Sequence, residues 1–298
     1  MIDEAVFSGP PLTLVETSKI GRIPPEAFFI CSAIFHYLGP AFAVLLFARV
    51  DVLGVAWLRI ASAAMVFGVW HRPWRLFGKL SPAERRIVLA FGFVLAIMNV
   101  CFYLAIDRLP LATVGTIEFL GPIVLAAFGV RTVRNLVALL FACGGVFLLT
   151  RVRISGQPLG YIFAFANCVL FVLYILLGHR IAETGGRARV QRLALAVLVA
   201  SIAVTPIGLR GAFDALLDPK VVLAGAGVGV CSSVIPYICD QFAMARLSKA
   251  TFALMLSLLP ATACVIGMIV LRQIPSLSEL AGIGTVIAGV ALKRSADG

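Results

Sequence analysis

Three ionisable side chains lie inside long apolar runs of this sequence. Glu118 stands in TIEFLGP, Asp240 in IPYICDQ, and Arg59 in the second apolar run. A charged side chain at the centre of a bilayer costs about 2.5–3.5 kcal/mol on insertion scales, and such residues generally face the interior of a helix bundle. A carboxylate there can hold a substrate ammonium or carry a proton, and an arginine can bind a carboxylate through two hydrogen bonds. These residues are the candidate charged contacts and coupling groups.

Each of the three also has a structural interpretation. Glu118 as a neutral carboxyl would make a single interhelical hydrogen bond. Asp240 is only six residues from Arg246 and would then lie near the membrane surface. Arg59 is about one turn from the outer surface, and we expect it to extend its side chain to that surface.

Neutral polar side chains recur at helical spacing on the other apolar runs. Asn99 and Tyr103 are four residues apart, and Asn167 and Tyr174 are seven apart, so each pair shares one helix face. Singly, such residues more often join helices than contact a ligand. Together they predict a wet cavity, lined by Asn99, Tyr103, Asn167, Tyr174, Tyr237, His36, Glu118 and Asp240.

Prolines inside the apolar runs predict points where helices bend, because proline removes a backbone hydrogen bond. Pro236 also frees a backbone carbonyl that could coordinate a ligand. The predicted bend points are Pro40, Pro122, Pro236 and Pro260.

Composition indicates the environment of these elements. Of 298 residues, 61% are hydrophobic and 13% are charged, and the mean hydropathy is +1.05. Soluble domains are nearer half apolar and a quarter charged, so a soluble or disordered chain is excluded. The fold class predicted is an all-α integral membrane protein, since a barrel would show alternating ten-residue strands. About ten spans are expected, near 27–48, 54–71, 87–106, 111–130, 135–150, 158–179, 192–209, 221–244, 250–271 and 279–293.

The distribution of Lys and Arg predicts the topology. With a cytoplasmic N-terminus, seventeen of the 25 basic residues fall in cytoplasmic segments and seven in outer segments, with Arg59 inside a span. This bias follows the positive-inside rule and places both termini in the cytoplasm of a multi-pass bacterial inner-membrane protein. Residues 1–25 lack the features of a cleavable signal peptide and are expected to form a cytoplasmic tail.

The sequence contains a faint internal repeat. RLPLATVGTIEFLGP at 108–122 aligns without gaps on RLSKATFALMLSLLP at 246–260, with six identities in 15 positions. Five spans separate the copies, so they enter the membrane from opposite sides. Inverted repeats of this kind are typical of secondary transporters, which bind substrate between the halves. The predicted halves are residues 26–152 and 153–298.

Other functions find little support. The net charge of +11 is spread over short loops without an aromatic-interleaved basic face, which argues against nucleic-acid binding. No enzyme or nucleotide-binding motif occurs, the three histidines are scattered, and no cofactor or metal is expected. The seven cysteines form no CxxC pair and suggest neither disulfides nor zinc: Cys31, Cys101, Cys143, Cys168, Cys231, Cys239 and Cys264.

Several motifs resemble those of the EamA group of the drug/metabolite transporter superfamily, in particular its bacterial threonine/homoserine exporters. The resemblance extends over about residues 55–293. Its motifs are HRPWR at 71–75, MNVCFYLAI at 98–106, RLP at 108–110, IEFLGP at 117–122, IPY at 235–237, RL at 246–247 and TF at 251–252.

The resemblance implies ten helices in a 5+5 inverted repeat and amino-acid export by alternating access. The aromatic residues near the cavity would also suit apolar or aromatic substrates. The sequence departs from the pattern of this family at two positions that affect charge. Leu259-Pro260 stands where family members often have Glu-Pro, and Asp240 stands where they often have Glu. A drug or metabolite exporter on the same fold is the alternative, and an intramembrane enzyme a remote one. A lipid bilayer and a small molecule are the expected partners, and a monomer suffices, although a dimer is compatible.

The charge bias makes a testable prediction about topology. We expect a fluorescent protein fused to the C-terminus to fluoresce, because it folds in the cytoplasm. Alkaline phosphatase fused at the same place should be inactive, because it does not become active in the cytoplasm. Phosphatase fused after Ser155 should be active, since residues 151–156 are expected to face outward. The reverse pattern of activities would contradict the assigned orientation.

Overall fold

The computed structural model describes residues 23–292, apart from 110, 128–131, 151–156, 260–261, 263–264 and 267–276. The described part is helical, and no strand occurs in it. Two short helical turns, Trp74–Phe77 and Asp214–Leu217, accompany the longer helices. Those helices are α1 (Pro25–Leu46), α2 (Val52–His71), α3 (Pro82–Ile106), α4 (Leu111–Ala127), α5 (Val133–Thr150), α6 (Pro158–Ala182), α7 (Gly186–Ala212), α8 (Pro219–Met244), α9 (Lys249–Met255) and α10 (Leu277–Leu292).

The helices begin where the sequence offers capping groups. Ser81 accepts a hydrogen bond from the backbone N–H of Glu84, whose carboxylate accepts one in return from the Ser81 N–H, and Pro82 occupies the first turn of α3. Asp218 and Ser248 cap α8 and α9 in similar fashion. These caps satisfy backbone donors that the first turn leaves free, so each helix starts at a defined residue.

Shorter apolar helices accompany six helices in the described residues that are long and apolar enough to cross a membrane. These six are Pro25–Ala43, Val52–His71, Pro82–Ile106, Pro158–Ala182, Ala188–Ala212 and Pro219–Met244. The outward faces of these six carry exposed apolar side chains, such as Val69 (79% exposed), Leu223 (75%) and Ile202 (64%). Faces of this kind require lipid rather than water. The all-helical membrane class predicted from composition is therefore supported.

The largest helix pairings are α5 with α10, α2 with α7, α3 with both α6 and α7, and α1 with α8. A buried apolar core runs between them and contains Phe29, Phe67, Phe91, Phe171 and Phe252. The polar site described below is enclosed by α1, α2, α3, α4, α6 and α8.

Contacts between helix ends identify which helix ends lie together at each end of the bundle. At one end, which we call end A, Arg246 donates to the Ile23 carbonyl, and Arg192 pairs with Glu84. At the opposite end, end B, the guanidinium of Arg108 lies 5.6 Å from the ring centroid of Phe163. All segments joined at end A are those that charge counting assigned to one side of the membrane.

Helix α8 is interrupted by a π-helical turn over Val230–Val234, directly before Pro236. Pro40 and Pro122 lie inside α1 and α4, which continue as α-helix through them. Among these three predicted bend points, only Pro236 adjoins an irregular turn. Pro260 lies outside the described residues.

Glycine permits close packing against the π-helical turn. A Cβ atom added at Gly229 would lie 1.8 Å from Ser62 Oγ and 2.6 Å from the backbone oxygen of Arg59. Because one of these atoms belongs to the backbone of α2, a side-chain adjustment alone cannot make room. By contrast, a Cβ added at Gly227 meets nothing within 4 Å.

Replacing Gly229 by Ala should therefore destabilise the protein by about 1–3 kcal/mol, the usual cost of overpacking. We expect a fall of several degrees in the midpoint of thermal unfolding in detergent. Gly227→Ala, two residues away on the same helix, is the matched control and should lower the midpoint little or not at all. Equal destabilisation by both variants would show that the α2–α8 contact is not tight.

Candidate functional site

Arg59 is buried in the middle of the bundle, with only 5% of its surface exposed. Its Nε donates to Ser233 Oγ at 2.9 Å, and its Nη2 donates to the Ser232 carbonyl at 2.7 Å. The guanidinium also lies 5.7 Å from the ring centroid of Tyr103. The expectation that Arg59 reaches the outer surface is wrong, because α8 supplies hydrogen-bond acceptors inside the bundle.

Proline explains why that acceptor is available. In a regular helix the N–H of residue 236 would bond to the carbonyl of residue 232, but Pro236 has no N–H. Pro236 thus removes the α-helical donor of the Ser232 carbonyl, and Arg59 donates to this carbonyl. Pro236 was expected to free a carbonyl for a ligand, whereas here the protein itself occupies that carbonyl.

Glu118 is buried on α4, with 6% of its surface exposed. Its Oε1 accepts a hydrogen bond of 2.8 Å from Asn167 Nδ2 on α6. Within the described residues this is the carboxylate's single hydrogen bond, so Oε2 is unengaged. Arg59 and Tyr37 are close enough to interact with Glu118 electrostatically, but Arg59 forms no ion pair with it.

Asp240 has a different environment. Its Oδ1 accepts a hydrogen bond from Ser32 on α1 and its Oδ2 one from Tyr174 on α6, both at 2.5 Å. All three residues are buried. Both carboxylate oxygens are thus engaged by protein hydroxyls, and three helices meet at this carboxylate.

An aromatic stack covers the Asp240 site. The ring centroid of Tyr174 lies 5.7 Å from that of Phe171, 5.6 Å from that of Phe91 and 5.9 Å from that of Tyr237. The first two pairs are stacked and the third is tilted, within the range of favourable aromatic contacts. Tyr174 is therefore fixed by packing as well as by its hydrogen bond.

Several buried polar atoms near Arg59 and Glu118 have no hydrogen-bond partner among the described residues. Such orphans are rare in folded proteins and call for a ligand, water or ion. They are Asn99 Oδ1, Tyr103 Oη, Asn167 Oδ1 and Tyr237 Oη. All four belong to residues that the sequence singled out, and they mark the polar wall of a candidate binding site.

The remaining predicted residues are less directly involved. Asn99 donates from Nδ2 to the Ala56 carbonyl at 2.9 Å, so one end of its amide joins α3 to α2. The ring of His36 is half-buried and lies 5.7 Å from that of Tyr37 and 6.3 Å from that of Phe171. His36 makes no hydrogen bond to either carboxylate in the described part of the chain.

Sequence reasoning missed Ser32 and Ser233. Serine is common in membrane helices, so its type alone carries no signal. The adjacent Ser232-Ser233 pair just before Pro236 was a usable signal, since a buried arginine needs acceptors of that kind. No cluster of His, Cys, Asp and Glu suited to a metal ion occurs among the described residues.

A membrane bundle with oppositely charged groups between its helices is the architecture of a small-molecule transporter, and comparisons with known proteins agree. The family model described as "EamA-like transporter family" matches residues 158–293. The threonine/homoserine exporter RhtA of Escherichia coli K12 is 32% identical over 257 residues, covering 84% of each chain. RhtA of Salmonella typhimurium LT2 gives the same identity and coverage.

The chain therefore belongs to the EamA-like transporter family, as the motifs near Glu118 and Pro236 predicted. Its relatives are named exporters, and this agrees with a protein that is not an enzyme. A crystal structure of a protein shares the fold, with a TM-score of 0.66 over 88% of this chain and 93% of that chain at 17% identity.

Proposed function

We propose that this protein exports amino acids of the threonine/homoserine type, and apolar or aromatic ones as well, across the bacterial inner membrane by alternating access. The observation that carries the proposal is a buried cation, Arg59, facing a buried carboxylate, Glu118, without an ion pair between them. A zwitterion would complete both charges. The names of the exporters to which the chain is similar support the same substrate class.

Arg59 is the proposed partner of the substrate carboxylate. Nε and Nη2 donate to Ser233 and Ser232 of α8, which leaves Nη1 as the nitrogen that α8 does not engage among the described residues. The hydroxyls of Tyr103 and Tyr237 lie beside Arg59 and interact with its guanidinium. A carboxylate placed here would accept hydrogen bonds from a cation and two hydroxyls, which is strong anion binding.

Glu118 is the proposed partner of the substrate ammonium. Its unengaged Oε2 and the unpartnered Oδ1 of Asn167 are both acceptors. An ammonium has three donors and no acceptor, so it matches this side of the site. Acceptors near Glu118 and donors near Arg59 together select a molecule that carries both an ammonium and a carboxylate.

A 5+5 inverted repeat is part of the proposal, and helix packing supports it. If each helix is exchanged for the one five places away, the pairs α2–α7, α4–α9 and α5–α10 map onto themselves. The pair α1–α8 maps onto α6–α3, and α2–α8 onto α7–α3. Such a set of pairings is expected when two like halves oppose each other.

Two matching contacts at the helix ends give further support. The guanidinium of Arg108, which precedes α4, lies 5.6 Å from Phe163 on α6. Arg246 precedes α9, and its guanidinium lies 5.3 Å from Phe28 on α1. The two arginines are aligned in the sequence repeat, and each meets an aromatic ring in the first turns of the opposite half. They lie at opposite ends of the bundle, as inversion requires.

In the proposed transport cycle, the two halves rock about the Arg59–Glu118 site and expose it to each side in turn. End A would face the cytoplasm with both chain termini, in accordance with the charge bias. A monomer contains both halves and suffices for this mechanism.

The role of Glu118 can be tested with Glu118→Gln, which keeps the size and removes the charge. We expect an unchanged thermal midpoint and a roughly 10- to 100-fold loss of threonine efflux efficiency from proteoliposomes, the usual effect of losing one hydrogen-bonded charge. Glu183→Gln, at the exposed end of α6, is the matched control. Wild-type efflux by Glu118→Gln would exclude the ammonium site.

Competition between a proton and the substrate ammonium for Glu118 predicts that transport is coupled to protons. A proton and an ammonium cannot both occupy the free carboxylate oxygen, so a proton entering from outside should promote release of the substrate. The titratable groups that interact with Glu118 in the described residues are Arg59, Tyr37 and Cys168.

We therefore expect efflux of preloaded threonine and homoserine to accelerate when the outer solution is more acidic than the lumen, and Glu118→Gln to lose this acceleration. Efflux that ignores the gradient would indicate a facilitator. If no amino acid moves while a cationic drug does, the proposed substrate class is wrong.

A further inference from the structure

We propose that Ser32, Asp240 and Tyr174 form a latch that closes the end-A entrance, rather than a contact with the substrate. The inference rests on the proposed alternating access. Ser32 lies in the first half of the chain, and Asp240 and Tyr174 lie in the second. The 2.5 Å hydrogen bond from Ser32 to Asp240 therefore joins the two halves, and the 2.5 Å bond from Tyr174 holds the Asp240 carboxylate in place from within the second half.

The position of the latch along the bundle fits a gate. At a rise of 1.5 Å per residue, Ser32 lies about 10 Å from the start of α1 and Asp240 about 6 Å from the end of α8, both at end A. Arg59 and Glu118 each lie about 10 Å from the start of α2 and α4, at end B. A substrate bound between Arg59 and Glu118 would have to pass the latch to reach end A.

The carboxylate of Asp240 is already saturated. Its two oxygens accept short hydrogen bonds from two hydroxyls, which leaves it poorly suited to bind an ammonium as well. Glu118, in contrast, has one oxygen engaged. The two buried carboxylates therefore have distinct roles: Glu118 faces the substrate, and Asp240 ties helices together.

The aromatic stack closes the same level of the bundle. Phe91 belongs to the first half, whereas Phe171, Tyr174 and Tyr237 belong to the second, and the Phe91–Tyr174 contact bridges the two. When the halves separate at end A, the Ser32–Asp240 bond and this ring contact must break together. Tyr174 forms the ring contact and also donates a hydrogen bond to Asp240, so it connects the two contacts that bridge the halves.

Two native cysteines next to the latch can report the separation of α1 from α8. Cys31 and Cys239 directly adjoin Ser32 and Asp240, are free and half-buried, and interact with each other across the α1–α8 boundary. Opening the latch separates α1 from α8 and should expose both thiols to water at end A.

The test uses the full chain with the other five cysteines replaced by serine, after confirming that it transports like the wild type. Ser32→Ala and Tyr174→Phe each remove one hydrogen bond to Asp240, and Ser201→Ala on α7 is the matched control. A membrane-impermeant maleimide is applied to the end-A side of membrane vesicles. We expect labelling of Cys31 and Cys239 to accelerate about tenfold in both latch variants and not in the control.

A second readout separates a gate from a binding contact. Latch variants should change the maximal rate of threonine transport and leave KM within about twofold, whereas Glu118→Gln should raise KM. Labelling rates equal to those of the control in both variants would overturn the latch. So would an increase in KM matching that of Glu118→Gln. Absence of amino-acid transport by the wild type would instead refute the proposed function, since thiol labelling does not depend on it.

Discussion

The structure depends on solving one problem, the burial of a guanidinium inside a membrane. An unpartnered charge at this depth is prohibitively costly, so Arg59 needs acceptors that cannot be withdrawn. The bundle provides them from the π-helical turn of α8, where the Ser232 carbonyl and the Ser233 hydroxyl both accept from Arg59. The close approach of α2 to α8, made possible by Gly229, keeps these groups within reach. With Arg59 satisfied on one edge, its other edge remains available to an anion.

The two buried carboxylates illustrate why residue type alone does not define function. From sequence, Glu118 and Asp240 were both candidates, each inside an apolar run near a proline, although Asp240 is closer to a predicted membrane surface. The structure separates them by the number of engaged oxygens, one in Glu118 and two in Asp240. That difference depends on Ser32 and Tyr174, which lie on helices distant in sequence. No local pattern around Asp240 reveals it.

Other features were predictable because they depend on local physics. Apolar runs of about 20 residues predicted helices, and the structure shows that Ser81, Asp218 and Ser248 cap three of them. The motif near Glu118 predicted the transporter family, which is confirmed by the RhtA relatives. The course of Arg59 was predicted wrongly, since the expected snorkelling considered only the distance to the surface. The acceptors on α8 lie some 170 residues further along the chain. Contacts between distant segments, rather than periodicity, determine the site.

The π-helical turn of α8 has a consequence for the symmetry of the proposed repeat. Helices α3 and α8 are counterparts in the proposed repeat, both start with proline, and both end shortly before an Arg-Leu pair. They count 25 and 26 residues, respectively. A π-turn accommodates one additional residue within an otherwise α-helical segment. In the proposed repeat, the π-turn therefore accommodates the one residue by which α8 is longer than α3. The same turn carries Ser232 and Ser233, so the irregular register of α8 coincides with the acceptors that hold Arg59.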